Sequence, residues 1–141
     1  MFTYHCFAVF VKKDLLYRHE KFISGVLIMM LIAFATFNTD KMYTVFTFSF
    51  LAIFLLYLKM VNKAQWLSRF YFAYAFLLIP FLIVNGILTG TGLEEPVVWY
   101  NDHTNLGIRL MTIPIEDIFY GMLLILLNVS LLEIFQNKKL S

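Results

Sequence analysis

Apolar residues run almost unbroken through Phe22–Asn38, Met42–Leu58, Phe70–Leu88 and Ile118–Phe135, and charged or glycine-rich breaks separate the four runs. Each run holds about 17–19 residues, close to the ~20 mostly apolar residues that carry a helix across the ~30 Å hydrocarbon layer of a bilayer. The pattern predicts an all-α integral membrane bundle of four transmembrane helices. Ahead of it lies Phe2–Val11, an apolar decamer followed by Lys12-Lys13 and too short to cross alone. A signal peptide carries its positive charges before the apolar core and a small-residue cleavage site after it, so this segment reads instead as a short apolar helical or interfacial piece. The expected organisation is residues 1–19 as an N-terminal apolar segment with a basic linker, and residues 20–141 as the membrane domain. Pro80 and Asn85-Gly86 interrupt the third run, and a structural kink facing protein or a cavity is expected there.

Composition agrees with the pattern and narrows it. The chain is 61% hydrophobic and 14% charged, with 16 Phe, 8 Tyr and 2 Trp, which excludes a water-soluble globule. A net charge of +2 gives no ground for a nucleic-acid partner, and the single cysteine, Cys6, cannot form an internal disulfide. Lysine and arginine are retained on the cytoplasmic side of short loops. Lys12, Lys13, Arg18, Lys21, Lys59, Lys63, Arg69, Lys138 and Lys139 fall on one side of a four-span topology, against Lys41 and Arg109 on the other. This predicts a multi-pass protein of the cell membrane with cytoplasmic termini and the segment 89–112 on the outer face. Thr39-Asp40-Lys41 and Lys59–Arg69 are ordinary connections, whereas a connection as long as 89–112 in a compact bundle is usually functional.

Candidate chemistry concentrates at that outer rim. In Thr112-Ile113-Pro114-Ile115-Glu116-Asp117, a proline and acidic residues suit a helix start and complement its dipole. The neighbours of the pair are apolar, however, and burial disfavours the charged form of a carboxyl, which favours a functional reading over capping. Adjacent helical residues point about 100° apart, so the two acids are expected to play different roles. Asp117 shares its face with Gly121, Leu124 and Asn128, and Glu116 with Tyr120, Leu123 and Leu127. A buried Asn128 would bond a neighbouring helix or the substrate cavity, and Gly121 would admit another backbone or a flat ligand; helix packing is the plainer role for both. Glu94 and Glu95 supply a second carboxylate pair near the same boundary, and Trp99 and Tyr100 suit the membrane interface. His5, His19 and His103 show no metal spacing, and Asn101-Asp102-His103-Thr104-Asn105 offers one carboxylate where a magnesium diphosphate needs several. No metal and no cofactor is expected.

The stretch Val84-Asn85-Gly86 through Gly90-Thr91-Gly92-Leu93-Glu94-Glu95-Pro96-Val97-Val98-Trp99-Tyr100-Asn101, then Leu106-Gly107-Ile108-Arg109, then Ile113-Pro114-Ile115-Glu116-Asp117-Ile118-Phe119-Tyr120-Gly121, resembles the second half of the lycopene cyclase domain family. These are small integral-membrane carotenoid cyclases that need no flavin, built from two homologous subunits or from their fusion. The resemblance covers roughly residues 20–136, and the family's Pro-x-Glu-Glu/Asp motif is matched by Pro114, Glu116 and Asp117. It implies an acid-initiated, non-redox closure of a β-type ring on lycopene or a related acyclic carotenoid. With the two rim pairs this makes Glu116, Asp117, Glu94 and Glu95 the catalytic candidates, and the working assignment is Glu116 as the acid and Asp117 as its hydrogen-bonding partner or the base, or the reverse. Asn85, Trp99, Tyr100, Pro114, Phe119, Tyr120, Gly121 and Asn128 are the substrate-contacting candidates, and Phe119, Tyr120 and Tyr100 would stabilise a passing carbocation. Family fusions carry a first half with its own motif, and this chain looks like the carboxy-terminal portion, with residues 1–19 similar to the close of such a half. A homologous first-half subunit or fused half, or else a homodimer, is the expected partner alongside the lipid bilayer. A non-catalytic carotenoid-binding or scaffold subunit is the chief alternative. A small four-helix transporter fits less well, because Phe22–Asn38 lacks the carboxylate such exporters need.

Overall fold

The computed structural model describes residues 18–140, with the side chains of 137–140 left aside; the segment Phe2–Val11 lies outside the described residues. Four helices, α1 (Glu20–Phe37), α2 (Met42–Met60), α3 (Leu67–Leu88) and α4 (Ile115–Leu140), are joined by two short turns and one long loop. A two-residue antiparallel ladder closes that loop, β1 (Arg109–Leu110) against β2 (Ile113–Pro114), with Arg109 opposite Pro114. All four helices are long and apolar enough to cross a membrane. The apolar runs thus mark the helices, which extend beyond them where polar residues find partners, most of all at the start of α4.

Helical periodicity selects what each helix buries. In α1 the buried positions are Ser24, Ile28, Leu31 and Ala35, a single stripe; Phe22, Met29 and Phe37 stand exposed on the other sides. The central helix is α2, which packs against both α1 and α4 and buries Thr44, Thr47, Phe48, Leu51, Ala52, Leu55 and Leu58. Phe48 meets Phe34 of α1 and Phe119 of α4 edge to face, at centroid separations of 6.1 and 5.0 Å. In α3 the first turns are buried, from Leu67 to Tyr74, and Ser24 of α1 joins Tyr71 there through a 2.7 Å hydroxyl contact.

Beyond Tyr74, α3 leans only sparsely on α4. An apolar groove of about 420 Å³ opens along it, lined by Leu77, Pro80, Phe81, Val84, Asn85 and Leu88 with Ile125 of α4. The helix runs unbroken through Pro80 and Asn85-Gly86, where the sequence suggests an interruption. Proline removes only its own bond to the carbonyl four residues back, and the ladder continues on either side. Close approach to α4 survives at Gly121, where a Cβ would stand 3.1 Å from the Phe81 ring. Gly121 thus admits an aromatic side chain of the neighbouring helix, a helix-packing role.

Burial of this kind predicts unequal effects of truncation. Leu55→Ala, at a position fully buried between helices, should destabilise the bundle by about 2–4 kcal/mol in reversible unfolding from mixed micelles. Ile53→Ala, on the exposed face of the same helix, should change stability by less than about 1 kcal/mol because its contacts are with lipid-like surroundings in both states.

Candidate active site: a buried carboxyl pair

The first turn of α4 carries Glu116 and Asp117, and both are buried, at 0% and 4% exposure. Two carboxyls can lie there only if polar groups meet them. The neighbouring helix supplies the first of these at adjacent positions: the Tyr43 hydroxyl donates to Asp117 Oδ1 at 2.7 Å and the Thr44 hydroxyl to Glu116 Oε1 at 2.6 Å. Two consecutive residues of α2 thus face two consecutive residues of α4. Asp117 Oδ2 accepts two further bonds, from Asn85 Nδ2 of α3 at 2.8 Å and from the Tyr100 hydroxyl of the long loop at 2.7 Å. Glu116 Oε1 accepts a second bond from the Leu106 backbone N–H at 2.7 Å. Glu116 Oε2 is buried and has no partner among the described residues.

The loop 89–112 is therefore a clamp over the pair. Its early part folds back on α3, with the Val97 and Val98 N–H groups both donating to the Leu88 carbonyl at 2.9 Å. Gly90, at φ 105°, makes that reversal, and Pro96 packs where its side chain would be. Thr112 bridges the ends of the loop through hydroxyl contacts to Thr89 and Thr91 at 2.7 and 2.5 Å. The later part docks on α2, whose N-terminus has no side-chain cap; the Tyr43 N–H donates instead to the Thr104 carbonyl at 2.9 Å. At the start of α4, the Ile115 N–H donates to the Ile108 carbonyl at 3.0 Å. Arg109 ties the segment together, donating to Asp102 Oδ1 at 2.5 Å and to the Thr112 carbonyl at 3.0 Å.

Of the residues singled out from the sequence, the structure brings together Glu116, Asp117, Asn85 and Tyr100, with Pro114 buried one residue before α4 begins. Phe119 turns into the core against Phe48, and Tyr120 is about half exposed beside the loop. Gly121 sits one turn along from the pair, against Phe81 and Tyr74. Others stand apart from the pair. Glu94 and Glu95 are exposed at the tip of the reversal and take no part in the hydrogen-bonded cluster, because the bonds to Leu88 hold the loop base and leave its apex in solvent. Trp99 is 76% exposed. Asn128 is exposed rather than buried and donates to the Leu124 carbonyl of its own helix at 2.8 Å, satisfying its amide without a neighbour. Sequence reasoning missed Tyr43, Thr44 and Leu106. Tyr43 and Thr44 sit at the first turn of an apolar run, where hydroxyl side chains were a usable signal; a backbone N–H leaves none.

Electrostatics outside the spans follow from the same contacts. Burial, reinforced by the bond to Asp117, pushes the Tyr100 phenol above its ordinary range, so it stays protonated and keeps donating at neutral and mildly alkaline pH. The Arg109 hydrogen bond holds the exposed Asp102 carboxyl below the ordinary carboxylate range. A depressed folded value stabilises above the unfolded pKa of ~3.9, and that contribution is lost as pH falls through the folded value. Arg109→Gln should return Asp102 to the ordinary range in an NMR titration of carboxyl carbons. The stability difference between the two proteins should be small, as for exposed pairs, and vanish in acid.

Comparison with known proteins agrees with this geometry. No curated protein and no solved structure matches the chain. Residues 40–135, well over half of its length, match the lycopene cyclase family. The matched span runs from the turn before α2 into α4, and so contains both carboxyls and all five of their donors. The chain belongs to the lycopene cyclase family.

Proposed function

We propose that this chain catalyses, within the membrane, the acid-initiated, non-redox closure of a β-type ring at the acyclic end of lycopene or a related carotenoid. The observation that carries the proposal is the unequal supply of donors to the two acids. Three donors spread over both oxygens suit an ionised Asp117. Both donors to Glu116 converge on Oε1, and Oε2 is left bare, which suits an undissociated acid whose own proton sits on Oε2. Protonating an alkene needs such an acid in a dry site.

In this reading Glu116 transfers its Oε2 proton to the terminal double bond, leaving a carboxylate and a tertiary carbocation. A second double bond of the same polyene attacks the cation and forms the carbon–carbon bond of the ring. The cation moves to the far carbon of that double bond, and loss of a neighbouring proton to a base regenerates an alkene. Asp117 is the nearest carboxylate to act as that base, and its charge also stabilises the cation. No electron is gained or lost. The apolar groove between α3 and α4 supports a polyene substrate, since its lining includes Asn85, itself bonded to Asp117. Glu116 is sealed beneath the loop, so the end group reaches it when the loop releases its Leu106 and Tyr100 bonds. A homologous first half, as a separate subunit or fused, completes the enzyme; the termini are cytoplasmic and the loop faces outward.

Lycopene-accumulating cells test this. The chain with a homologous first-half polypeptide should yield cyclised carotenoid on chromatography, and Glu116→Gln should lower the yield by about 10²–10⁴-fold, the usual contribution of a general acid. Asp117→Asn should impair turnover comparably, and Tyr100→Phe, which removes one of three donors, by about tenfold or less. Normal cyclisation by Glu116→Gln would reassign the acid. Carotenoid retained by the membrane protein with an unchanged absorption spectrum would point instead to a binding subunit.

A further inference from the structure

The opposite end of the bundle holds a second cavity, about 620 Å³ in volume, between the start of α1 and the turn after α2. Its lining includes Arg18, Glu20, Lys21, Lys59, Lys63 and Gln65, four cations against one carboxylate. That carboxylate is already committed: Glu20 Oε1 accepts from Ser24 at 2.8 Å and lies 3.4 Å from Lys59 Nζ. Among the described residues, no carboxylate pairs with Arg18, Lys21 or Lys63. Lys63 reaches the cavity from a left-handed backbone conformation, φ 45°, in the turn that stops α2. The cavity also meets the first turn of α1, where His19 makes no side-chain cap.

Positive residues at a membrane boundary are ordinary, but here they line a partly open concavity rather than a flat rim. Phe22 follows Lys21 in the chain and Met60 and Val61 follow Lys59, and all three are large apolar side chains left exposed, at 73%, 73% and 69%. A concave basic site that continues into an apolar, lipid-facing surface matches the two parts of a phospholipid. We propose that this cavity binds the phosphate headgroup of an anionic membrane phospholipid, with its acyl chains on Phe22, Met60 and Val61. The site lies at the far end of the helices from the carboxyl pair and does not depend on the cyclase chemistry.

The full-length chain, purified in neutral detergent and equilibrated with mixed micelles of phosphatidylcholine and phosphatidylglycerol, should retain phosphatidylglycerol in preference by about tenfold, falling with added salt. Lys21→Gln and Lys63→Gln should each reduce the preference about fivefold, equivalent to ~1 kcal/mol per charge. Gln65→Glu places an anion in the cavity without shortening a side chain and should reduce it similarly, which keeps the test sound if a lysine variant fails to fold. Lys41→Gln, at the other end of the bundle, should leave it unchanged. Equal retention of the two lipids, or a preference that survives all three cavity variants, overturns the proposal. Displacement of phosphatidylglycerol by millimolar inorganic phosphate overturns the lipid assignment in favour of free phosphate.

Discussion

Two adjacent carboxyls buried at the head of α4 set the requirement that the rest of this end of the protein meets. A buried carboxyl without donors would be strongly destabilising, and the bonds that meet these two come from outside α4. The donors come from every other part of the matched family region: Tyr43 and Thr44 from α2, Asn85 from α3, Tyr100 and Leu106 from the loop. The long connection, which would otherwise be an expensive stretch of ordered chain, is held down by bonds at its base, its middle and its end. Stability and chemistry at this end therefore rest on the same contacts.

Much of the architecture was legible in the sequence because a bilayer leaves few options. Four apolar runs of spanning length can only be helices, since no other local structure satisfies the backbone in lipid. Glu116 and Asp117 were legible for a related reason: ionisable groups with apolar neighbours on both sides stand out against a chain that otherwise keeps charge in its turns. What surrounds them was far less legible. Thr44 and Glu116 are 72 positions apart, and nothing in an apolar run says which hydroxyl will meet which acid. Face arithmetic along α4 put Asn128 on the side of Asp117 but could not say which side meets lipid several turns later, and an amide bonded to its own helix is at home there. Glu94 and Glu95 were drawn toward the site by proximity in sequence, whereas the reversal at Gly90 sends them away from it.

The two ends of the bundle solve opposite electrostatic problems. At one, two buried carboxyls are met by neutral hydroxyls, an amide and a backbone N–H. At the other, Arg18, Lys21 and Lys63 are exposed around the pair of Glu20 and Lys59. Most of the apolar bundle lies between them, so the two ends stand a helix length apart.

The pairing of two neighbours on α2 with two neighbours on α4 also bears on how the protein is assembled. A chain made from its amino end delivers α2 long before α4, so Tyr43 and Thr44 are in place while the acids have not yet been synthesised. Only one longitudinal alignment of the last helix lets both hydroxyls find both carboxyls; a slip of a single turn would orphan the pair. The buried acids thus serve as a registration mark, and the arriving helix is seated by the bonds that satisfy them.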